Sequence, residues 1–176
     1  MNESVIEFAR PDAEVVVIRI SGRGSFLNSI EIQNLCDSIR ENNPNIRIII
    51  DLEKCETMDS TFMGTLAGLS VEQNKEGEGY LTVVNTNDHT NRLLRNLGLS
   101  YILDMRDQDA IPQISENHFR KAEEDSSPSR FEQVVHMIKA HKQLINLDDQ
   151  NEIRFQSVLK YLEDSLAREK KKKETS

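Results

Sequence analysis

The sequence predicts an α/β fold: a mixed sheet of four or five strands with helices packed mainly on one face, followed by a C-terminal α-helical hairpin. Three observations carry that reading. Two β-branched runs, Val15-Val16-Val17-Ile18-Arg19-Ile20 and Ile46-Arg47-Ile48-Ile49-Ile50-Asp51-Leu52, are almost continuously apolar, as strands covered on both faces are. Between and after them the apolar spacing becomes helical, and strands alternating with helices define an α/β sheet. Beyond residue 130 two more helical stripes follow with a short turn between them.

In chain order, residues 5–8 are a short extended segment ended by Pro11 and Asp12. Residues 15–20 form a buried strand, and Gly22-Arg23-Gly24 after it reads as a turn. Ile32, Leu35, Cys36 and Ile39 at helical spacing predict a helix over 28–40. Asn28 or Ser29 caps it, and Asn42-Asn43-Pro44 stops it. Residues 46–52 are the second strong strand. Asp59-Ser60-Thr61 then opens a helix over 60–75, with Phe62, Met63, Leu66 and Leu69 on its apolar side and Gly77 and Gly79 past its end. A third strand covers 80–84. A short helix over 87–97 is closed by Gly98 in the left-handed cap position, and 101–103 adds an edge strand. Val17, Ile48, Ile50, Leu66, Leu69 and Val83 are the expected core.

The polar run KAEEDSSPSR over 121–130 contains a Ser-Pro breaker and marks a linker. The chain therefore divides into a sheet domain over 1–115, a linker over 116–130, a helical hairpin over 131–170 and a basic disordered tail over 171–176. The first hairpin stripe holds Phe131, Val134, Val135, Ile138 and Ile145, and the second Phe155, Val158, Leu159, Leu162 and Leu166. Neither can stay exposed, so each packs on the other, on the sheet domain or on a partner.

Composition removes several function classes. The net charge is -8, and so acidic a chain lacks the basic face that binds nucleic acid. Its partners are expected to be proteins. Cys36 and Cys55, the only two cysteines, make no disulfide framework, which points to a reducing, cytoplasmic setting. No apolar stretch approaches the roughly 18 residues that span a bilayer, so no direct membrane insertion is expected. The lysines at 170–173 are flanked by Glu169 and Glu174 and read as a solvated tail. No GxxxxGK or GxSxG is present. His89, His118, His136 and His141 show no HxH or HxxxH spacing and read as ordinary surface or hairpin residues. No cofactor and no metal is expected, and the chain is read as a non-enzyme.

One segment stands apart, Met58-Asp59-Ser60-Thr61-Phe62-Met63-Gly64. It follows the IRIIIDL strand and begins a helix, which puts a serine hydroxyl where backbone N–H groups point outward and stabilise negative charge. Two readings stand side by side: a capping serine, or a phosphorylation site.

Asp59-Ser60-Thr61-Phe62-Met63-Gly64 resembles the D-S-S-G-L-G signature of STAS domains, of the anti-sigma factor antagonist type. Leu93-Leu94-Arg95-Asn96-Leu97-Gly98-Leu99 looks like the helix ending of that family, and Gly22 matches the glycine of its G-E-L-D turn. The resemblance covers roughly residues 4–110 and leaves out the hairpin. It implies a STAS-like sheet and phosphorylation of Ser60 by a partner that is both anti-sigma factor and serine/threonine protein kinase. It further implies that the unphosphorylated form binds that kinase and that a PP2C-type phosphatase resets the switch. Gly22, Ser25, Asp59, Ser60, Thr61, Phe62 and Met63 are the implied partner-binding residues. Phe62 stands where the family usually has glycine and Met63 where it has leucine, and Phe62 is read either as a partner contact or as a residue that changes which kinase fits. Other readings within the family are a STAS subunit binding the ATPase of a membrane transport complex, and a stressosome-like scaffold. Self-association as a homodimer also stays open.

Overall fold

The structure is a computed structural model describing residues 4–123 and 127–175. The strongest strand of the sequence, β2 (Val15–Gly24), forms the middle of the sheet. Its first half lies parallel to β3 (Arg47–Asp51), with Val15 opposite Arg47 and Arg19 opposite Asp51. Its second half runs on past β3 and pairs with β4 (Cys55–Met58), with Gly24 opposite Met58. The register shifts between Gly22 and Arg23. Gly22 has φ 74, a left-handed conformation natural to glycine. The expected turn at Gly22-Arg23-Gly24 is thus a bulged strand end, because β4 supplies the pairing that carries the chain onward.

β1 (Val5–Ala9) pairs antiparallel with β2, and β5 (Leu81–Val84) and β6 (Leu103–Arg106) extend the parallel side beyond β3. The two-residue β7 (Arg120–Lys121) closes the other edge against β1, inside the segment expected to be linker. Among the described residues the sheet has 7 strands in the order β6-β5-β3-β2-β1-β7, with β4 beside β2. The four or five strands expected omit β4 and β7, which are too short to carry a periodic signal. The edge strand expected at 101–103 lies slightly later, after a 3₁₀ turn at Leu99–Tyr101.

The helices α1 (Ser29–Asn42), α2 (Ser60–Lys75) and α3 (Asp88–Asn96) pack on one sheet face. There Ile18, Ile20, Ile48, Ile50 and Val83 meet Ile32, Phe62, Leu66, Leu69 and Leu94. All six expected core residues are buried. The opposite face, through Val15, Val17, Ile49 and Val84, is covered by the loop residues Ala110, Ile111, Ile114 and Phe119. That explains why the strands read as continuous apolar runs. Arg19 ties this loop down. Its Nε donates to Asp51 at 3.2 Å, its Nη1 to Glu116 at 2.8 Å, and its guanidinium lies 3.8 Å over the Phe119 ring.

The C-terminal helices are α4 (Arg130–Leu147) and α5 (Asp149–Glu174). Ser129 and Glu132 form a capping box at the start of α4. Val134, Ile138 and Leu162 make a small core between the two helices. Leu144, with no exposed surface, reaches instead into the main core. α5 continues past residue 170 as far as Glu174, into the stretch expected to be a disordered tail, of which residue 176 lies outside the described residues. Lys172 pairs with Glu169 at 3.1 Å and Lys173 lies 4.1 Å over the Phe131 ring, which holds its last turns. No helix among the described residues is long and apolar enough to cross a membrane.

Candidate functional site

The start of α2 is built by Asp59. Its backbone N–H donates to Gly24 O at 2.9 Å, fastening the helix to the end of β2. Its Oδ1 accepts the Phe62 N–H and its Oδ2 the Phe26 N–H, each at 2.9 Å. One carboxylate thereby caps α2 and holds the 25–28 loop beside it. Asp59 is the cap, and Ser60, the first residue of the helix, is not.

The Ser60 hydroxyl is occupied in another way. Ser60 Oγ lies 3.0 Å from His141 Nε2, and His141 Nδ1 lies 2.8 Å from the Met137 carbonyl oxygen. A carbonyl only accepts, so Nδ1 carries a proton, and Nε2 is the nitrogen that shares the hydrogen bond with the Ser60 hydroxyl. The His141 ring is 3% exposed and stands edge-on to Phe155 at 5.3 Å. Ser60 itself is half-buried.

A second hydroxyl–imidazole pair lies one turn along. Thr65 Oγ1 donates to Thr61 O at 2.9 Å and lies 2.9 Å from His136 Nε2, so here the imidazole N–H is the donor. Burial, aided by the charge of Lys139, pushes His136 down to about 4. Between the two pairs the helix backbones touch. A Cβ on Gly64 would stand 2.3 Å from Ala140 O, so only glycine fits there. Lys139 Nζ meets Glu72 at 3.3 Å at the rim. The hairpin is anchored again at α3. Asn151, fully buried, donates to Leu97 O and Leu144 O, each at 2.9 Å.

The structure brings Ser25, Asp59 and Ser60 together around the β2 end and the α2 start. Ser25 is 7% exposed, and its N–H donates to Asn28 Oδ1 at 2.8 Å. The Gly22 N–H donates to Lys54 O at 2.9 Å just upstream. Thr61, Phe62 and Met63 face inward. Phe62 has no exposed surface and lies under Gly24, so its side chain is core rather than a partner contact. The reason is helical geometry: Phe62 shares the sheet-facing stripe with Leu66 and Leu69. The apolar groups presented outward beside Asp59 are Phe26 and Leu27, 38% and 72% exposed. Sequence reasoning passed over these two, and over His136 and His141. A signal existed for both pairs. Phe26-Leu27 is an apolar pair in a loop, and His141 continues the spacing of Val134 and Ile138.

No cluster of three metal-ligating side chains occurs among the described residues. A polar cleft of about 810 Å³ on the opposite sheet face is lined by Arg19, Asp51, Asn85, Glu116 and Phe119. Its buried polar atoms are satisfied internally.

A parallel-sided sheet with helices on one face, presenting a serine at a carboxylate-capped helix start, defines a small α/β domain organised around that helix terminus. The family model of the STAS domain matches residues 9–118, and the chain belongs to that family. The crystal structure of a candidate anti-sigma factor antagonist from Thermotoga maritima has 19% identity and a TM-score of 0.52, covering 58% of this chain and 86% of that one. An NMR structure of the same Thermotoga protein gives 18%, 0.52, 58% and 81%. The unphosphorylated anti-sigma factor antagonist SpoIIAA gives 18% identity, a TM-score of 0.48, and coverage of 64% and 91%. At such identity the Thermotoga likeness shows the fold. No curated protein matches the sequence.

Proposed function

We propose that this protein is a phospho-regulated partner-switching protein of the anti-sigma factor antagonist type, acting by binding and not by catalysis. Unphosphorylated, it binds an anti-sigma factor that is also a serine/threonine protein kinase. Phosphorylated on Ser60 it releases that partner, and a PP2C-type phosphatase restores the binding form. It works in the cytoplasm and without a cofactor.

The observation that carries this reading is the division of labour at the α2 start. Asp59 performs the capping, so the Ser60 hydroxyl is not needed to hold the helix. A phosphoserine brings a charge of about -1.5 to -2. At a helix N-terminus the outward N–H groups and the dipole favour an anion, so the fold tolerates it. A protein interface does not, because a dianion among packed contacts must be desolvated or paired. The surface around it, with Phe26 and Leu27 exposed beside Asp59, supplies apolar contact for a partner.

The test is mass spectrometry of the protein from its own cells, combined with capture of the bound kinase. Phosphate on Ser60, partner binding kept by Ser60→Ala and weakened by Ser60→Asp are the expected results. Absence of phosphate on Ser60, together with normal binding by Ser60→Asp, would refute the proposal.

A further inference from the structure

The strip of α2 that carries Ser60, Gly64 and Thr65 is not open. α4 lies along it, with His141 on Ser60, Ala140 against Gly64 and His136 on Thr65. We infer that the C-terminal hairpin is a tethered competitor for the partner surface. A protein partner reaches Ser60 and the α2 strip only after α4 lifts away. This rests on the reading of α2 as the partner face and adds to it a regulator carried by the same chain.

Three features support it. First, the contact excludes a third body. The backbone-to-backbone approach at Gly64 and Ala140 leaves no room for another protein's side chain between the helices. The 3.0 Å from Ser60 Oγ to His141 Nε2 is a direct hydrogen bond. A phosphate on Ser60 removes the O–H from that contact and adds bulk and charge beneath α4, so it disfavours docking, and docking disfavours the phosphate to the same extent.

Second, the contact is made to separate. Apart from Leu144, Leu147 and Phe155, which pack on the main core, and the Asn151 anchor on α3, it uses small residues, hydroxyl–imidazole bonds and the rim pair of Lys139 with Glu72, while Val134, Ile138 and Leu162 are satisfied inside the hairpin. Lifting the hairpin exposes little of that inner core. Third, the strip is shaped for a helix. A partner that displaces α4 presents a helix with a small residue at the point facing Gly64 and hydrogen-bonding groups on either side.

The experiment measures access to position 60 in the full chain, without any kinase. The Ser60→Cys variant is labelled with a maleimide carrying a bulky polyethylene glycol, and separately with N-ethylmaleimide. Background is low because Cys36 and Cys55 are buried. Burial pushes the Cys36 thiol up to about 12 and raises that of Cys55 as well. Adding Ala140→Leu wedges α4 from Gly64. The bulky reagent then reacts roughly tenfold faster or more, equivalent to about 1.4 kcal/mol in the docking equilibrium, and the small reagent gains less. Equal rates for the bulky reagent with and without Ala140→Leu overturn the inference. If Ala140→Leu loses the sheet domain's circular dichroism, the pair His136→Ala and His141→Ala opens the same contact without overpacking, and the same outcomes decide. Phosphate on Ser60 in cells with equal labelling rates removes the competitor alone. Faster labelling with no phosphate on Ser60 removes the phosphorylation alone.

Discussion

Gly24→Ala tests whether the α2 start is positioned by packing beneath it. Gly24 is not in the left-handed region, so its backbone accepts alanine without strain. The obstacle is Phe62. The added Cβ would stand 2.7 Å from Cδ1 and 2.9 Å from Cε1 and Cγ, well inside the 3.4 Å where ordinary contact begins. Phe62 has no exposed surface and cannot swing out, so the strand end or the ring must shift. Overpacking of this kind costs about 1–3 kcal/mol. Phe62→Ala alone costs about 3–5 kcal/mol, since it leaves a cavity. In that background the Gly24→Ala methyl enters vacated space, so its cost vanishes and the cycle shows favourable coupling of about 1–3 kcal/mol. Urea denaturation of the four proteins measures this. A Gly24→Ala cost that is equal with and without Phe62, or absent in the parent, would refute the steric argument. Because Gly24 O receives the Asp59 N–H, the single variant is also expected to weaken partner binding.

Acid is expected to loosen the hairpin first. His136 is held near 4 while its free value is 6.5. Above 6.5 docked and undocked forms are both neutral and stability is complete. Between 6.5 and about 4 only the undocked form takes a proton, so docking weakens by up to about 1.4 kcal/mol per pH unit, less whatever solvent screening the partly exposed ring retains. Hydrogen exchange of α4 amides should accelerate across that window, and His136→Gln should flatten the response; an unchanged response would remove His136 as its source. Asn151→Ala leaves Leu97 O and Leu144 O without their buried donor and is expected to cost about 1–3 kcal/mol, read as a lower melting temperature. No change in melting would mean that the α3 anchor does not hold the hairpin.

The sheet and its helices were legible because long apolar runs and helical spacing are signals spread over many residues. Ile48, Ile49 and Ile50 announced a strand covered on both faces, although nothing in the run said that one cover is a loop pinned by Arg19. β4 and β7 carry no comparable signal. Cys55–Met58 has a single strongly apolar end, and Arg120–Lys121 is a polar pair whose pairing depends on where β1 already lies. The serine at the helix start was legible from Asp59-Ser60, but which of the two caps depends on backbone angles that composition does not contain. Phe62 was misplaced as a partner contact for a related reason. Its motif position lies next to Ser60, yet the direction of its side chain follows from the stripe it shares with Leu66 and Leu69.

The hairpin shows why a sequence can reveal an amphipathic pair without revealing its target. Much of its two stripes is satisfied between the helices, through Val134, Ile138 and Leu162, and only Leu144, Leu147 and Phe155 reach the main core. Docking then depends on residues that hydropathy patterning does not weigh: Ala140 for its size, His136 and His141 for their ring nitrogens, Asn151 for two orphan carbonyls. On the α2 side the matching residues, Ser60, Gly64 and Thr65, are likewise small or polar. An interface made this way gains less from burial than the core beneath it, where Phe62, Leu66 and Leu69 have no exposed surface. Opening therefore follows the order of these energies. On the inference drawn above, the hairpin is expected to be the first layer to separate, with the sheet and its capped α2 remaining as the platform. The same ordering places Ser60 at the boundary between the two layers, where a phosphate of about -1.5 to -2 charge on its hydroxyl would bear most on the contact with α4 and least on the fold.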